Sequence, residues 1–417
     1  MAGAQGMFDH LDIYTPSERW AVGLADAGLA VLGWPLRRRA ATRAAPRRIL
    51  LLRLERIGDL LMSLGAIRAV RAQAPEAVID LVVGSWNEPV AALIAELNHV
   101  EVVDAAWLAR GSDGQSTVSL ARRAASWRGR GYDLAINFEG DIRSHGLLTL
   151  AGAARRVGFG HAGGGPLLTD VVAFDGGRHV ADNGLALVER AFDLPPGSLP
   201  GADTAAGAPL WRLPVPESAH AAARAAFGQF LQTDSPVRPL LAVHAPGGRA
   251  IKQWPVERFA DVATALATEM GAAVVLTGAP GDEVIVSEMG SRLAARDIPT
   301  LRVQGTTDLV VLAAMLQRCR ALLTGDTGPM HLAAAVGTPV LAVFGPSMPW
   351  RYGPLTTHRR IVRVDLPCSP CNRIRLPPER CHGHTPDCLA AVQVEAVVAA
   401  GRSLLAQAGA AAAPGVR

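Results

Sequence analysis

The chain has 417 residues, of which 49% are hydrophobic and 19% are charged. This length predicts two or three domains, and this composition excludes a disordered chain. The formal net charge is +4, but six arginines lie within residues 37–48, so the rest of the chain is slightly acidic. We therefore expect no nucleic-acid partner, because a nucleic-acid-binding surface would spread its positive charge over a domain.

The sequence shows no signal for membrane crossing or export. No stretch contains the ~18–20 uninterrupted apolar residues that a bilayer crossing needs. The N-terminus also lacks the order of basic start, apolar stretch and small-residue cleavage site that marks a secretory signal. We therefore predict a cytoplasmic protein.

Residues 1–48 form an N-terminal extension that differs from the rest of the chain. Residues 15–18 (TPSE) have the form of a capping box with proline at the first helical position, which predicts the start of a helix. This helix would end before Pro35 and would carry one apolar face made of Trp20, Leu24, Ala27, Val31 and Trp34. Two interpretations stay open: an interfacial membrane helix beside a basic segment, or a helix packed on the protein's own surface.

From residue 49 short apolar runs alternate with helical patterns, which is typical of a parallel sheet covered by helices. A first doubly wound unit is predicted over residues 49–205, with a helix over 59–73. Its predicted strands are 49–54, 78–83, 101–103 and 133–138.

The same rhythm restarts after a predicted linker, residues 206–236. The second unit spans residues 237–390, and residues 391–417 form a C-terminal helix and tail. Its predicted strands are 240–244, 273–276, 301–303, 321–324 and 340–344. The fold class is therefore α/β, with two Rossmann-like units and a cleft expected between the carboxyl ends of their strands.

The turn after the first strand carries a carboxylate instead of a dinucleotide-binding fingerprint. Residues 55–59 (ERIGD) are not G-x-G-x-x-G, so a nicotinamide dehydrogenase is disfavoured. Asp59 stands at the expected edge of the sheet and at the start of a helix. It either caps that helix or serves as a functional carboxylate, and the two roles are compatible.

Residues 325–331 (GDTGPMH) lie between a predicted strand and the next helix. Glycines there permit close backbone approach, and a helix N-terminus offers free amides to an anion. Asp326 would repel a phosphate, so it fits better as an acceptor for sugar hydroxyls beside one. An ordinary capped turn is the alternative.

One lysine, Lys252, stands among forty arginines, which marks it for a task that arginine performs poorly. It follows the turn at Gly247 and precedes a helix, where a compact charge would meet a pyrophosphate. Gly278 and Glu283 follow the next strand, where an acidic group would accept from ribose hydroxyls; Asp282 is the other choice. No P-loop occurs, which disfavours an ATPase or GTPase.

Together these elements resemble glycosyltransferase family 9, the lipopolysaccharide heptosyltransferases. The resemblance covers about residues 49–407 and rests on four motifs in order: 56–59 (RIGD), 252–255 (KQWP), 325–334 (GDTGPMHLAA) and 344–346 (FGP). It implies a GT-B architecture of two facing Rossmann-like domains, an N-terminal one for the acceptor and a C-terminal one for a nucleotide sugar.

The resemblance also implies a reaction and residue roles. A heptose, usually ADP-linked, would pass to a lipid-linked saccharide of the inner core with inversion and without a divalent metal or other cofactor. Asp59 would be the general base, and Asp326 would bind sugar hydroxyls. The diphosphate would meet Lys252, Thr327 and Gly328, with His331 nearby. A peripheral position on the inner membrane would suit such an acceptor.

Arg56, Asp141 and Arg143 are the residues predicted to bind the acceptor. Asp141 and Arg143, with His145, follow a predicted strand end and would contact acceptor phosphates or carboxylates, although an ordinary polar loop explains them as well. Another GT-B transferase with a hexose donor, and a non-catalytic nucleotide-sugar-binding protein, remain alternatives. The oligomeric state is not predicted.

Four cysteines lie within the loop 366–388: Cys368, Cys371, Cys381 and Cys388. A similar cysteine-rich segment occurs in a subset of the family. The spacing permits a structural zinc site with four thiolates, but only the first two cysteines form a C-x-x-C pair. Reduced packing or redox pairing is the alternative.

Overall fold

The computed structural model describes residues 7–32, 45–108, 114–201, 211–230, 238–305 and 308–411. The chain divides into two compact units, Met1–Thr204 and Ala205–Arg417. Each unit contains one six-stranded sheet in which every recorded strand pair is parallel. Within the described residues, none of the helices combines the length and apolar content that a bilayer crossing requires.

The first unit has the strand order β3-β2-β1-β4-β5-β6. Its strands are β1 (Arg48–Arg53), β2 (Val78–Val83), β3 (His99–Val102), β4 (Leu134–Asn137), β5 (Arg155–Phe159) and β6 (Asp170–Val172). The central strand β1 is apolar and buried from its second residue because helices cover both faces of such a sheet. Leu51 lies opposite Leu81 on one side and Ile136 on the other.

The helices of this unit are α1 (Pro16–Leu32), α2 (Ile57–Met62), α3 (Leu64–Gln73), α4 (Glu88–Ala91), α5 (Thr117–Ser126), α6 (Ile142–Leu150) and α7 (Val180–Ala191). The single helix predicted over 59–73 is two helices that meet at Ser63. The Ser63 hydroxyl donates to the Asp59 carbonyl at 2.9 Å, a local bond that competes with the helix ladder.

The second unit has the order β12-β11-β10-β7-β8-β9, which is the same topology read from the other edge. Its strands are β7 (Leu240–His244), β8 (Ala273–Leu276), β9 (Thr300–Arg302), β10 (Ala321–Gly325), β11 (Val340–Val343) and β12 (Arg359–Val362). Its helices are α8 (Glu217–Phe230), α9 (Val256–Met270), α10 (Glu283–Ala294), α11 (Leu309–Arg318), α12 (Gly328–Val336), α13 (Pro349–Tyr352), α14 (Asp387–Ala390) and α15 (Val394–Ala411).

Three strands were not predicted from the sequence: β5, β6 and β12. They lie towards one edge of their sheets and carry charged residues, so they lack the apolar runs that mark the central strands. In β5, for example, Arg155 pairs with Asp170 of β6 at 3.1 Å. Charge pairing between neighbouring strands thus adds to the burial of Val157 and Phe159 at this edge.

Each unit has its own apolar core. Trp127 is almost fully buried among the residues beneath β1 and β4 in the first unit. In the second, Trp254 and Phe259 meet edge to face with ring centroids 5.1 Å apart. Helix α15 packs on α9 and on β11 and β12, which keeps the C-terminal segment within the second unit.

Candidate active site

Both sheets place the candidate residues at the point where their strand order reverses. In the first unit β1 neighbours β4, and the chain continues outward from each in opposite directions. In the second unit β7 and β10 have the same relation. Loops that follow such a pair of strands diverge and leave a crevice, which is where open α/β sheets bind ligands.

Asp59 lies in the first turn of α2, as its third residue. Its Oδ2 accepts from the Arg56 amide at 3.1 Å, so it satisfies a backbone donor at the helix start although it is not the N-cap residue itself. Its side chain remains 27% exposed. The carboxylate is therefore both held by the helix and open to a ligand.

A buried arginine holds the other oxygen of Asp59. The Arg53 guanidinium, 3% exposed, lies 3.5 Å from Asp59 Oδ1 and 3.1 Å from Glu55 Oε2. The same Arg53 donates to the Phe138 carbonyl at 2.6 Å. Arg53 thereby ties the end of β4 to the two carboxylates that follow β1 and fixes the orientation of the Asp59 carboxylate.

Glu139 completes this cluster from the end of β4. One of its carboxylate oxygens accepts from the Leu54 amide and, at 3.0 Å, from the Glu55 amide. Burial and the nearby charge of Glu55 raise the pKa of Glu139 to about 8, against the opposing effect of Arg53. A carboxyl group that holds its proton near neutral pH thus lies beside Arg53 and Glu55.

The three residues predicted to bind the acceptor all make contacts with other residues of the first unit. Arg56 donates to the Leu108 carbonyl at 2.6 Å and lies 5.0 Å from the centre of the Trp86 ring. Asp141 caps α6 and pairs with Arg143 at 2.5 Å, and this hydrogen bond raises the pKa of Arg143. All three follow strand ends at the same edge of the sheet as Asp59, and their acceptor role stays a prediction.

In the second unit the single lysine and the predicted sugar-binding carboxylate contact each other. Lys252 Nζ lies 2.7 Å from Asp326 Oδ2, and that oxygen also accepts from the Ser347 hydroxyl. Burial alone would raise the pKa of Asp326, but the charge and hydrogen bond of Lys252 hold it below its ordinary value. The structure thus brings together two residues that are 74 positions apart in the sequence.

Helix α12 begins just after Asp326 of this ion pair. Thr327 is its N-cap residue but makes no side-chain capping bond, because its hydroxyl lies 3.0 Å from that of Thr324. The first amides of the helix, beginning at Gly328, therefore receive no side-chain acceptor from their cap, and the helix dipole favours an anion there. His331 is buried within the first turns of this helix.

The turns after β7 and β8 carry the remaining predicted donor residues. A Cβ at Gly247 would lie 2.8 Å from the Gln253 side chain, so the close turn before Lys252 requires glycine. A Cβ at Gly278 would similarly lie 2.8 Å from Val286. Glu283 is exposed and accepts from the Gly281 amide at 2.9 Å, which lowers its pKa.

His244, which the sequence predicts only as the last residue of a strand, lies at the switch point of the second sheet. It is buried at the end of β7, with Nδ1 3.0 Å from the Thr277 hydroxyl. Burial lowers its pKa to about 4, so the imidazole is neutral at pH 7. The signal available in the sequence was a histidine at the end of the apolar strand β7.

A cavity of about 480 Å³ adjoins the Lys252 turn within the second unit. Its walls come from the end of β7, the start of α9 and the cysteine-rich loop, and include Ala245, Trp254, Val256, Cys381 and His384. The buried Trp254 Nε1 has no hydrogen-bond acceptor among the described residues. The volume lies in the range of small-molecule sites.

The four cysteines of the loop are free thiols. Burial raises the pKa of Cys388, and the nearby Cys371 and Cys381 add to this rise. Among the described residues, no three His, Cys, Asp or Glu side chains come together as metal ligands would. The zinc site therefore stays a prediction for this loop.

The buried Glu139 gives a prediction for stability. Glu139→Gln retains an oxygen that accepts the two backbone amides but cannot ionise. The folded wild type holds its Glu139 proton up to a pKa of about 8, whereas the unfolded chain loses it near 4.5. The wild type should therefore lose stability relative to the variant as the pH rises through this window, by more than ~1 kcal/mol.

Urea unfolding at pH 5, 7 and 9 measures this difference. The exposed Glu76→Gln is the control and should show no such widening with pH. A difference between wild type and Glu139→Gln that stays constant over this range would contradict the raised pKa.

The family match spans three of the four sequence motifs, those at residues 252–255, 325–334 and 344–346. Residues 120–381, more than half of the chain, match glycosyltransferase family 9 (heptosyltransferase). Lipopolysaccharide heptosyltransferase 2 of Salmonella typhimurium is 28% identical over 314 residues, which is 74% of this chain and 85% of that protein.

Two solved structures have the same fold. E. coli ADP-heptose LPS heptosyltransferase II gives a TM-score of 0.68 at 24% identity, over 86% of this chain and 99% of that one. A family 9 glycosyltransferase from Veillonella parvula gives 0.72 at 24% identity, over 87% and 98%. The predicted GT-B fold class is confirmed, and with the match over residues 120–381 the chain belongs to glycosyltransferase family 9, the heptosyltransferases.

Proposed function

We propose that this glycosyltransferase moves a heptose from ADP-heptose to a saccharide of the lipopolysaccharide inner core, with inversion and without a metal. The Lys252–Asp326 pair at the start of α12 carries the proposal. It sets a cation, a helix N-terminus and a carboxylate at one point, which suits a diphosphate joined to a sugar. The relatives named above support the choice of heptose and of lipopolysaccharide.

On the donor side, the diphosphate contacts Lys252 and the backbone amides at the start of α12, where Thr327 supplies no side-chain cap. A diphosphate that approaches Lys252 competes with Asp326 for the ammonium group. Asp326 then accepts hydrogen bonds from hydroxyls of the transferred sugar. As the bond between the anomeric carbon and the phosphate oxygen breaks, Lys252 and the helix dipole stabilise the negative charge on the departing ADP.

On the acceptor side, Asp59 is the general base. The acceptor hydroxyl passes its proton to the Asp59 carboxylate while its oxygen bonds to the anomeric carbon. Attack from the face opposite the departing ADP is a single displacement, which inverts the anomeric configuration. Arg53 and the Arg56 amide each leave an Asp59 oxygen with a further lone pair, so the carboxylate is held without being blocked.

The nature of the acceptor also determines where in the cell the enzyme would act. A lipid-linked saccharide remains at the membrane, so the proposal puts the enzyme on the cytoplasmic face of the inner membrane, as a peripheral protein. Arg56 and Arg143 are the proposed contacts for acidic or phosphorylated groups of the saccharide, and Asp141 is the proposed contact for its hydroxyls. Binding of a structural zinc ion by the loop 366–388 is a separate proposal, and no step of the transfer reaction depends on it.

Two alternatives differ in testable ways. A transferase with a hexose donor would retain the diphosphate contacts but prefer another nucleotide sugar. A non-catalytic nucleotide-sugar-binding protein would retain donor affinity and show no turnover that depends on Asp59. The exposure of Asp59 beside a buried arginine favours catalysis, because a capping carboxylate alone needs no such partner.

Substitution of Asp59 tests the base. Asp59→Asn should lower kcat by about 10²–10⁴-fold and leave the donor Kd within about twofold, because the amide retains the cap but cannot take a proton. Asp133→Asn is a matched control, since Asp133 also accepts backbone amides, those of Arg47 and Arg48, at the opposite end of the sheet. Near-wild-type turnover of Asp59→Asn would show that Asp59 only caps the helix.

Substitution of Lys252 tests the diphosphate site. Lys252→Ala should weaken ADP-sugar binding by ~10–100-fold, measured by calorimetry, because a charge-assisted contact to phosphate is lost. Lys252→Arg should also weaken binding, because a planar guanidinium does not replace a compact ammonium group beside Asp326.

The control for the loss of an ion pair is Arg296→Ala, which breaks the exposed Arg296–Asp261 pair on the same unit. Its donor Kd should stay within about twofold of wild type. Equal donor affinity of wild type and Lys252→Ala would remove Lys252 from the donor site.

A further inference from the structure

Two groups of the protein meet at one oxygen of Asp326 and leave its other oxygen open. Lys252 Nζ lies 2.7 Å from Asp326 Oδ2, and the Ser347 hydroxyl donates to the same oxygen. In the part of the chain that the structure describes, no hydrogen bond reaches Oδ1, and 12% of the side chain is exposed. Because a carboxylate oxygen has lone pairs for two hydrogen bonds, Oδ2 is filled while Oδ1 still accepts.

The pairing of β10 with β11 brings Ser347 to this carboxylate. The two strands are parallel, and Gly325 lies opposite Val343 in their register. Asp326 directly follows Gly325, and Ser347 lies in the segment 344–348 that follows Val343. Both residues therefore leave the sheet at the same edge, although 21 positions separate them in the sequence.

The two donors to Asp326 respond differently to a diphosphate. Lys252 is a cation, 20% exposed, that a diphosphate attracts. Ser347 is uncharged and 2% exposed, and it gives its one hydroxyl proton to Asp326. Burial alone would raise the pKa of Asp326; when Lys252 turns to a ligand, the Ser347 hydrogen bond and the nearby His331 still oppose this rise. Ser347 is therefore the contact that holds the carboxylate while Lys252 contacts phosphates.

The segment 344–348 is itself held by packing. Phe344 is fully buried, and its amide donates to the Val362 carbonyl of β12 at 2.9 Å. A Cβ at Gly345 would lie 2.6 Å from the buried Leu389 side chain, so this close approach requires glycine. These contacts fix the backbone that carries Ser347.

The cysteine-rich loop 366–388 also binds this segment. The Ser369 hydroxyl donates to the Gly345 carbonyl at 3.0 Å, and the Asn372 amide donates to the Pro346 carbonyl at 2.8 Å. The loop therefore contacts the two residues directly before Ser347. These hydrogen bonds connect a loop whose cysteines have no assigned role to the carboxylate of the donor site.

We propose that Ser347 is a positioning residue of the donor site. Its hydroxyl holds Asp326 Oδ2, so that Oδ1 accepts from a hydroxyl of the transferred sugar while the diphosphate engages Lys252. The loop 366–388 supports this contact through Ser369 and Asn372. The role of the sugar rests on the proposed function, whereas the contact between Ser347 and Asp326 does not.

Calorimetry with ADP and with ADP-heptose tests this role, because the ratio of the two dissociation constants measures what the sugar adds to binding. Ser347→Ala should lower this ratio by about 5–10-fold and leave the ADP Kd within about twofold, since Asp326 meets the sugar and not the nucleotide. The matched control is Thr338→Val, which removes another buried hydroxyl bond, to the Leu316 carbonyl at 2.8 Å, at the opposite end of β11. Both of its dissociation constants should stay within about twofold of wild type.

The pH dependence of binding separates positioning from a general loss of packing. Ser347→Ala removes a hydrogen bond to the ionised form of Asp326, so this carboxylate should take up a proton at a higher pH than in the wild type. The contribution of the sugar should therefore fade on acidification about one pH unit earlier in Ser347→Ala, with no such displacement for ADP. A loss of packing alone would lower the affinity equally at every pH.

Two outcomes would overturn the inference: an unchanged ratio in Ser347→Ala, and an equal loss of affinity for ADP and ADP-heptose. If Ser347→Ala does not fold, Ser369→Ala carries the test, since it removes the bond to the Gly345 carbonyl and leaves Ser347 in place. Its ratio should fall by about threefold, and an unchanged ratio would again count against the inference.

The wild type reports on the proposed function separately. Equal wild-type affinity for ADP and ADP-heptose would contradict the heptose donor and not the role of Ser347. The ratio for UDP-glucose against UDP, in wild type and Ser347→Ala, then decides on Ser347, because its contact with Asp326 does not depend on which sugar is transferred.

Discussion

The ion pair between Lys252 and Asp326 is the contact on which the donor half of the site depends. Both side chains are largely removed from water, and such a pair is weak support for stability because desolvation offsets its Coulomb energy. The position of the pair explains its presence better than stability does. The pair lies where the loops after β7 and β10 diverge and where α12 begins, so it presents a cation and a hydrogen-bond acceptor to two parts of one ligand.

The first unit uses the same principle with other residues. Arg53 is buried at the end of β1 and joins Glu55, Asp59 and the Phe138 carbonyl. Glu139 beside them keeps its proton up to a pKa of about 8, which limits the number of negative charges around one arginine. In both units a cation contacts a carboxylate at the switch point of a parallel sheet: the buried Arg53 in the first unit and the partly buried Lys252 in the second.

The sequence predicts the central strands well, because each leaves a local signal. Apolar runs mark β7 and β8 to the residue, and glycine turns with nearby charge mark Lys252 and Asp326. Glu139 and Arg53 carry no such signal, since their contact depends on the pairing of β1 with a strand about 85 residues later.

The donor site is defined by the nucleotide sugar that it binds and by the division of work between Lys252 and Asp326. Heat unfolding in the presence of ADP, ADP-heptose, UDP-glucose or UDP-N-acetylglucosamine measures both. We expect ADP-heptose to raise the unfolding midpoint of the wild type by ~5 °C at saturation, with little effect of either UDP sugar. Asp326→Asn should lose most of the gain from ADP-heptose over ADP alone. Protection by a UDP sugar only would contradict the assignment of the donor. An equal loss of protection by ADP and by ADP-heptose in Asp326→Asn would contradict the role given to Asp326.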